Sequence, residues 1–252
     1  MRLDIEPADD LQIADGKLGF ERFFQTVLRD HGFSQQQPLT GRAKIHSTIP
    51  TGAGLGSSAA LCVLFARWVS VQYALKSSAA EIHFLASLFE NFFHGRSSGM
   101  DIAAVMTEGA VVFRRCSKLC FYPVATDVAF NLPLSFHDTG LRASTQTCIF
   151  QVKDCFASDV KKALLLDQTM QEASLIGQQG LAMMLDGQRS MGLECLSQCM
   201  RLSHEVFRGW GLIPKAIEAQ VVGLYKQGAM AVKLTGSGLG GFLVALWPKQ
   251  PV

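Results

Sequence analysis

A strand-like stretch that passes through three closely spaced glycines into a helical pattern constrains this chain more than any other feature. Arg42 to Ile49 alternates polar and apolar residues and predicts a strand ending at Pro50. Gly52-Ala53-Gly54-Leu55-Gly56-Ser57-Ser58 follows, and then Leu61, Leu64, Phe65 and Trp68 recur at helical spacing. Alternate glycines let the backbone take positive φ angles and approach a ligand closely. Ser57 and Ser58 fall where the helix should begin, and their hydroxyls are expected to satisfy its unpaired N–H groups. Exposed amides and the positive end of a helix dipole favour an anion, so a polyphosphate with its magnesium is the natural ligand. Taken alone, a tight turn with an ordinary serine cap fits equally well. The segment is not a P-loop, because no Gly-Lys-Ser/Thr follows. Nor is it a dinucleotide fingerprint, because the spacing is G-x-G-x-G with no ribose-binding acid about 20 residues on.

A second glycine loop lies near the other end. Lys233-Leu-Thr-Gly-Ser-Gly-Leu-Gly-Gly-Phe242 sits between predicted strands at Ala229 to Leu234 and Phe242 to Trp247. Its Gly236 to Gly241 segment holds four glycines in six residues, more than a two-residue hairpin turn needs. Between the two loops, Ile82, Leu85, Ala86, Phe89 and Phe93 mark a helix whose opposite face carries His83, Ser87, Glu90 and His94. Glu90 falls near the helix C-terminus, where a carboxylate meets the negative end of the dipole. A nearby cation would offset that penalty, and magnesium, Arg96 and Arg114 are the candidates. His94-Gly-Arg-Ser-Ser-Gly-Met-Asp101 then reads as a defined turn. Asp101 suits a general base for a hydroxyl nucleophile, or a cap for a helix over Ile102 to Met106.

The remaining pattern completes a mixed α+β chain. Phe20, Phe23, Phe24, Val27 and Leu28 predict a helix stopped by Gly32. Strands are predicted at Ala110 to Phe113 and Leu134 to Phe136, the latter leading into Asp138-Thr-Gly140. Asp154 to Gly209 is mostly helical, with turns near Gly177 and Gly187, and a domain boundary is placed near Val128. With 48% hydrophobic and 17% charged residues among 252, the chain buries a core rather than remaining disordered. Net charge is +2 with Lys and Arg scattered, which gives nucleic acid no footprint. No apolar run reaches about 18 residues, so no membrane span is expected. Seven cysteines, an odd count without a signal peptide, imply a reducing, cytoplasmic setting. Cys116/Cys120 and Cys195/Cys199 are C-x3-C pairs, and His204 follows the second. Buried free thiols at helical spacing are the favoured reading, zinc the lesser one.

Three segments together resemble the GHMP kinases, the family of galactokinase, homoserine kinase, mevalonate kinase and phosphomevalonate kinase. Ile49-Pro-Thr-Gly-Ala-Gly-Leu-Gly-Ser-Ser-Ala-Ala60 is similar to their P-x-G-x-G-L-G-S-S-A phosphate loop, and Lys233 to Gly241 to their K-x-T-G-x-G-x-G-G motif. Glu90-x3-His94-Gly95-x2-Ser98-Gly99-x-Asp101 resembles the E-x3-H-G-x-P-S-G-x-D segment of mevalonate kinases in particular. The resemblance implies the GHMP kinase fold. Residues 1–128 would form an N-terminal domain like domain 2 of ribosomal protein S5, and 129–252 a ferredoxin-like C-terminal domain.

It also implies roles. Ser58 and Glu90 would hold Mg2+, and Asp101 would take or orient the substrate hydroxyl. Gly52, Ala53, Gly54, Leu55, Gly56 and Ser57 would cradle the phosphates of ATP. His94, Ser98, Gly99, Thr235, Gly236, Ser237 and Gly238 would lie close to the substrate, and Asp138 to Thr145 would face the active site. Such a site transfers the γ-phosphate to an alcohol by positioning and charge neutralisation. Mevalonate is the first candidate acceptor; phosphomevalonate, homoserine and a sugar are the rivals. Three departures stand out. Ser97 replaces a Pro and Ala110 a Gly. Nothing in residues 1–50 matches the family's P-G-K-x-x-L-x-G-E-H-x-V-x-x-G motif, Gly16-Lys17-Leu18 being a chance fragment. The expectation is therefore a domain missing its first strands and the lysine beside the catalytic Asp. A non-catalytic nucleotide-binding protein, or one half of a complemented kinase, is the competing reading. Expected partners are ATP, an alcohol, and either a second copy of the chain or a complementing N-terminal fragment.

Overall fold

In the computed structural model, residues 1–6, 11–14, 20–33, 41–107, 109–115, 119–123 and 132–249 are described. They cluster into two compact units: Met1–Pro50 with Gly56–Tyr122, and Thr51–Leu55 with Pro123–Val252. The expected boundary at Val128 lies outside the described residues, as do Gly16-Lys17-Leu18 and Cys116.

In the first unit, β1 (Arg2–Glu6), β2 (Leu11–Ala14) and α1 (Phe20–Asp30) precede β3 (Gly41–His46). Then come α2 (Ser57–Gln72), α3 (Ala79–His94), α4 (Met100–Met106), β4 (Val111–Arg115) and β5 (Leu119–Pro123). β3 is central, with β1 antiparallel to it (Leu3 opposite Ile45) and β2 parallel to it (Ile13 opposite Ala43). The strand stops at His46 rather than Ile49. There the Ser47 hydroxyl accepts the Ile49 N–H at 3.1 Å, turning the backbone out of the ladder before Pro50. The periodic apolar residues of three helices meet around Phe24, whose ring lies against Phe65, Trp68 and Phe89 at centroid distances of 5.0, 5.9 and 4.7 Å. Phe24, Phe65 and Phe89 are fully buried, and each such ring contributes about 1.5–3 kcal/mol of burial free energy. α3 starts on a capping box in which Ser78 accepts the Glu81 N–H and Glu81 accepts the Ser78 N–H. That cap fixes the register of the helix bearing His83 and Glu90.

The second unit contains β6 (Leu134–Asp138), α5 (Thr145–Ser158), α6 (Val160–Leu185), α7 (Arg189–Gly209), α8 (Lys215–Lys226), β7 (Ala231–Leu234) and β8 (Phe242–Leu246). Its sheet is antiparallel in the order β6-β8-β7. Ile217 and Leu224 of α8, Phe207 of α7 and Cys148 of α5 pack with Leu234 and Leu243. The turn expected near Gly177 does not occur, because Gly177 lies inside α6. A Cβ at that position would stand 2.9 Å from Cys199 Sγ, and one at Gly180 would stand 2.9 Å from Cys195 Cβ. These glycines let α6 and α7 approach closely, so Cys195 and Cys199 serve as small packing residues. The turn at Gly187 is present, with φ of +78°. Among the described residues no helix is long and apolar enough to cross a membrane.

Candidate active site

The start of α2 differs from expectation. Gly56, in the left-handed region at φ +72°, is the N-cap, and no side chain among the described residues caps the helix. Ser57 and Ser58 are instead the first two residues of α2. They stand too far into the helix for the capping geometry, which needs a non-helical residue ahead of the first turn. The N–H groups of that turn are thus left without a hydroxyl cap, which is the condition an anion exploits.

Glu90, only 2% exposed, lies in the last turns of α3. The loop after α3 folds back over it. Ser97 donates its hydroxyl to Glu90 Oε2 and its N–H to Asn91 Oδ1 at 2.8 Å, while Gly99 N–H donates to Ser97 Oγ at 3.0 Å. Burial pushes the Glu90 carboxyl above the ordinary carboxylate range; the Ser97 bond opposes this, and the charge of Asp101 adds to it. The two acids therefore feel each other's field.

Gly99, not Asp101, caps α4 at φ +79°, and its carbonyl accepts Nε2–H of His83 at 2.8 Å. A side chain at position 99 would meet His83 Cε1 at 2.6 Å, so only glycine fits here. Asp101, exposed in the first turn of α4, is not the capping residue. The Gly99 turn sets where the helix bearing it begins. Ser98 accepts the Met100 N–H at 3.2 Å. His94 ends α3, and its side chain lies outside the described residues. His83 is 1% exposed, and burial lowers its pKa against the raising effect of the Gly99 bond.

In the second unit the segment Thr51–Leu55 meets the loop after β7. A Cβ on Gly54 would lie 3.0 Å from Thr235 Oγ1 and 3.1 Å from Gly236, and one on Gly236 would lie 2.7 Å from Gly54 Cα. Thr235 receives the Phe242 N–H at 3.3 Å. The Gly238 carbonyl accepts Cys148 S–H at 3.3 Å, and Leu239 N–H donates to Leu212 O at 2.8 Å. Gly241 N–H donates to Leu141 O at 2.8 Å, and Thr139 Oγ1 donates to Gly241 O at 2.7 Å. Ser237 is half-buried within this loop. The Asp138–Arg142 pair, with two bonds of 2.7 Å, fixes the turn after β6, and the Arg142 hydrogen bond holds the Asp138 carboxyl at about 2.

Sequence pattern alone marks neither Ser97 nor Lys233 as functional, and places His83 only on a polar helix face. Lys233 donates to Leu234 O at 2.8 Å, just before the loop, with its ammonium 4.3 Å from the centre of the Phe207 ring. Burial pulls its pKa down to about 8.

The donor chemistry here suits a hard cation. It offers a buried carboxylate, a neighbouring acid and serine hydroxyls, all of them oxygens as magnesium prefers. No group of three or more His, Cys, Asp and Glu that could hold a metal occurs among the described residues. Magnesium needs no such cage, since it is bound through one or two carboxylates plus substrate phosphates.

Residues 20–109 match the family model of the GHMP kinases N terminal domain. The mevalonate kinase of Thermococcus sibiricus is 27% identical over 82% of this chain and 60% of its own length, so the chain spans about three-fifths of that relative. Among solved structures, L. major mevalonate kinase in complex with R-mevalonate is 28% identical, with a TM-score of 0.75 over 98% of this chain and 77% of that one. Streptococcus pneumoniae phosphomevalonate kinase shares the fold at 14% identity, with a TM-score of 0.67 over 98% of this chain and 82% of that one. Residues 20–109 thus carry the match to the GHMP kinases N terminal domain, and by sequence and fold the chain is similar to proteins of that family. Among these proteins, the chain resembles the mevalonate kinases.

Proposed function

We propose that this chain is an ATP-dependent kinase that transfers a γ-phosphate to an alcohol, with mevalonate as the acceptor. The observation that carries the reading is the buried Glu90 carboxylate, held by Ser97 and within the field of Asp101, in a chain whose glycine loop leads into a helix start with no side-chain cap. In this reading residues 1–128 belong to the family's N-terminal domain and 129–252 to its C-terminal domain. The protein works in the cytoplasm on soluble partners.

Gly52 to Ser57 would wrap the phosphates with backbone N–H groups, which cost no reorganisation as charge develops. Ser58 and Glu90 would hold Mg2+, which when bound neutralises charge on the phosphate oxygens. Asp101 would accept or orient the hydroxyl proton of the acceptor. Ser98, Gly99 and His94 would shape the acceptor's side, and Thr235 to Gly238 would border the transferred group. Most of the rate in such a site comes from alignment and fixed charge.

A competing reading, a nucleotide-binding partner in a complemented kinase, is favoured by one feature: residues 1–50 carry no lysine motif. Losing one such electrostatic partner typically costs about 10²–10³ in rate. The chain is therefore expected to phosphorylate mevalonate well below the roughly 1–100 s⁻¹ usual for kinases. The test is incubation with γ-labelled Mg-ATP and mevalonate, with phosphomevalonate and homoserine as parallel acceptors. Labelled product from mevalonate that disappears in Asp101→Asn supports the proposal. Product from another acceptor only would move the substrate, and no product from any acceptor in a folded, Mg-ATP-binding sample would favour the partner reading.

A further inference from the structure

Ser97 stands where the mevalonate kinase segment carries proline, and it makes three hydrogen bonds. Its N–H donates to Asn91 Oδ1, its hydroxyl donates to Glu90 Oε2, and its oxygen accepts the Gly99 N–H. Proline has no N–H and no hydroxyl, so it could make none of them. Gly99 is fixed in turn by His83, whose Nε2–H reaches its carbonyl at 2.8 Å. A single hydroxyl thus joins a buried carboxylate on α3 to the residue that caps α4.

We propose that Ser97 is a positioning residue for the cation site: it holds the Glu90 carboxylate in the orientation a divalent ion takes. The inference rests on reading Glu90 as a cation ligand, and goes beyond it by assigning the group that orients that ligand. A carboxylate on a three-bond side chain has rotamers that aim its oxygens differently. Burial removes much of the water that would otherwise surround them, so the Ser97 hydroxyl clamped on Oε2 favours one of those rotamers. Such outer partners orient the ligands they hold, and losing one typically costs about 10–100-fold in metal affinity. Threonine keeps the hydroxyl and the N–H, so Ser97→Thr preserves the clamp, whereas Ser97→Ala removes the donor to Glu90 and the acceptor for Gly99.

The experiment is Mn2+ binding to the full chain, followed by the electron paramagnetic resonance signal of the free ion, with melting temperature measured without metal. Ser97→Ala is expected to weaken Mn2+ binding by about 10–100-fold, and Ser97→Thr to retain wild-type affinity. A role confined to the turn would lower the melting temperature of Ser97→Ala and leave Mn2+ affinity at the wild-type value, and that result overturns the inference. Glu90→Gln separates the two levels. If it abolishes Mn2+ binding while Ser97→Ala does not weaken it, only the role of Ser97 falls. If Glu90→Gln leaves binding intact, the cation reading of Glu90 and the inference fall together.

Discussion

The two glycine-bearing regions of this protein are built on opposite principles. Around Gly54 and Gly236 the contacts are made by backbone, and every neighbour that a new Cβ would meet is main chain or the short side chain of Thr235. Around Glu90 and Gly99 the contacts are made by side chains, with the Ser97 hydroxyl making two hydrogen bonds and Asn91 and His83 one each to fix the loop. The first arrangement excludes volume and the second satisfies buried polarity. Substitutions should therefore fail for different reasons: added atoms break the former, and removed atoms break the latter.

The largest effect is expected where volume cannot yield. Gly236→Ala places a Cβ 2.7 Å from Gly54 Cα at a φ of +64°, so overpacking and backbone strain combine. A loss of about 2–4 kcal/mol in urea unfolding is predicted, with loss of nucleotide binding. A variant as stable as wild type would show that the two loops do not touch as described. Next comes His83→Ala, which strands the Gly99 carbonyl in a buried position. It should cost about 1–3 kcal/mol and speed hydrogen exchange in α4, while exchange in β7 and β8 stays unchanged. Equal loosening of both regions would erase the contrast.

The smallest effect is a pH dependence. His83 and His204 are both buried, and burial lowers both pKa values below the usual 6.5 or so. For His204 the positive charge of Arg208 adds to that lowering. The unfolded chain then binds protons that the folded chain refuses, so stability is full above about pH 6.5 and falls as the pH drops below it. Each imidazole contributes a slope of at most about 1.4 kcal/mol per pH unit. His204→Leu should flatten the acid limb of the unfolding curve by roughly one group's share. An unchanged limb would mean that His204 is protonated in the folded state.

Much of this was legible in the residues. The helices α1, α2 and α3, the two glycine loops and the β7–β8 pair follow from apolar period and glycine spacing alone. What escaped depends on partners distant in sequence. β1 alternates Leu3 and Ile5 with charged residues, yet only its ladder with β3 makes it a strand. Gly177 resembles a turn until Cys199 is seen against it across the helix pair. The cap of α2 moved from serine to Gly56 because the positive φ there, set by the loop, leaves the hydroxyls one residue too late. The candidate acids Glu90 and Asp101 were legible from a polar helix face, a defined turn and the motif that spans them. The residues that hold them were not, since Ser97 and His83 gain meaning only once the loop has folded back on α3.

The proposed function requires that the chain bind ATP and that the buried Glu90 couple this binding to Mg2+. Calorimetric titration with ATP, with and without Mg2+, tests it most directly. The account predicts saturable binding that strengthens with Mg2+, and a Glu90→Gln variant whose affinity no longer responds to Mg2+. A correctly folded sample that takes up no heat at millimolar Mg-ATP, or that binds equally well after Glu90→Gln, would contradict it.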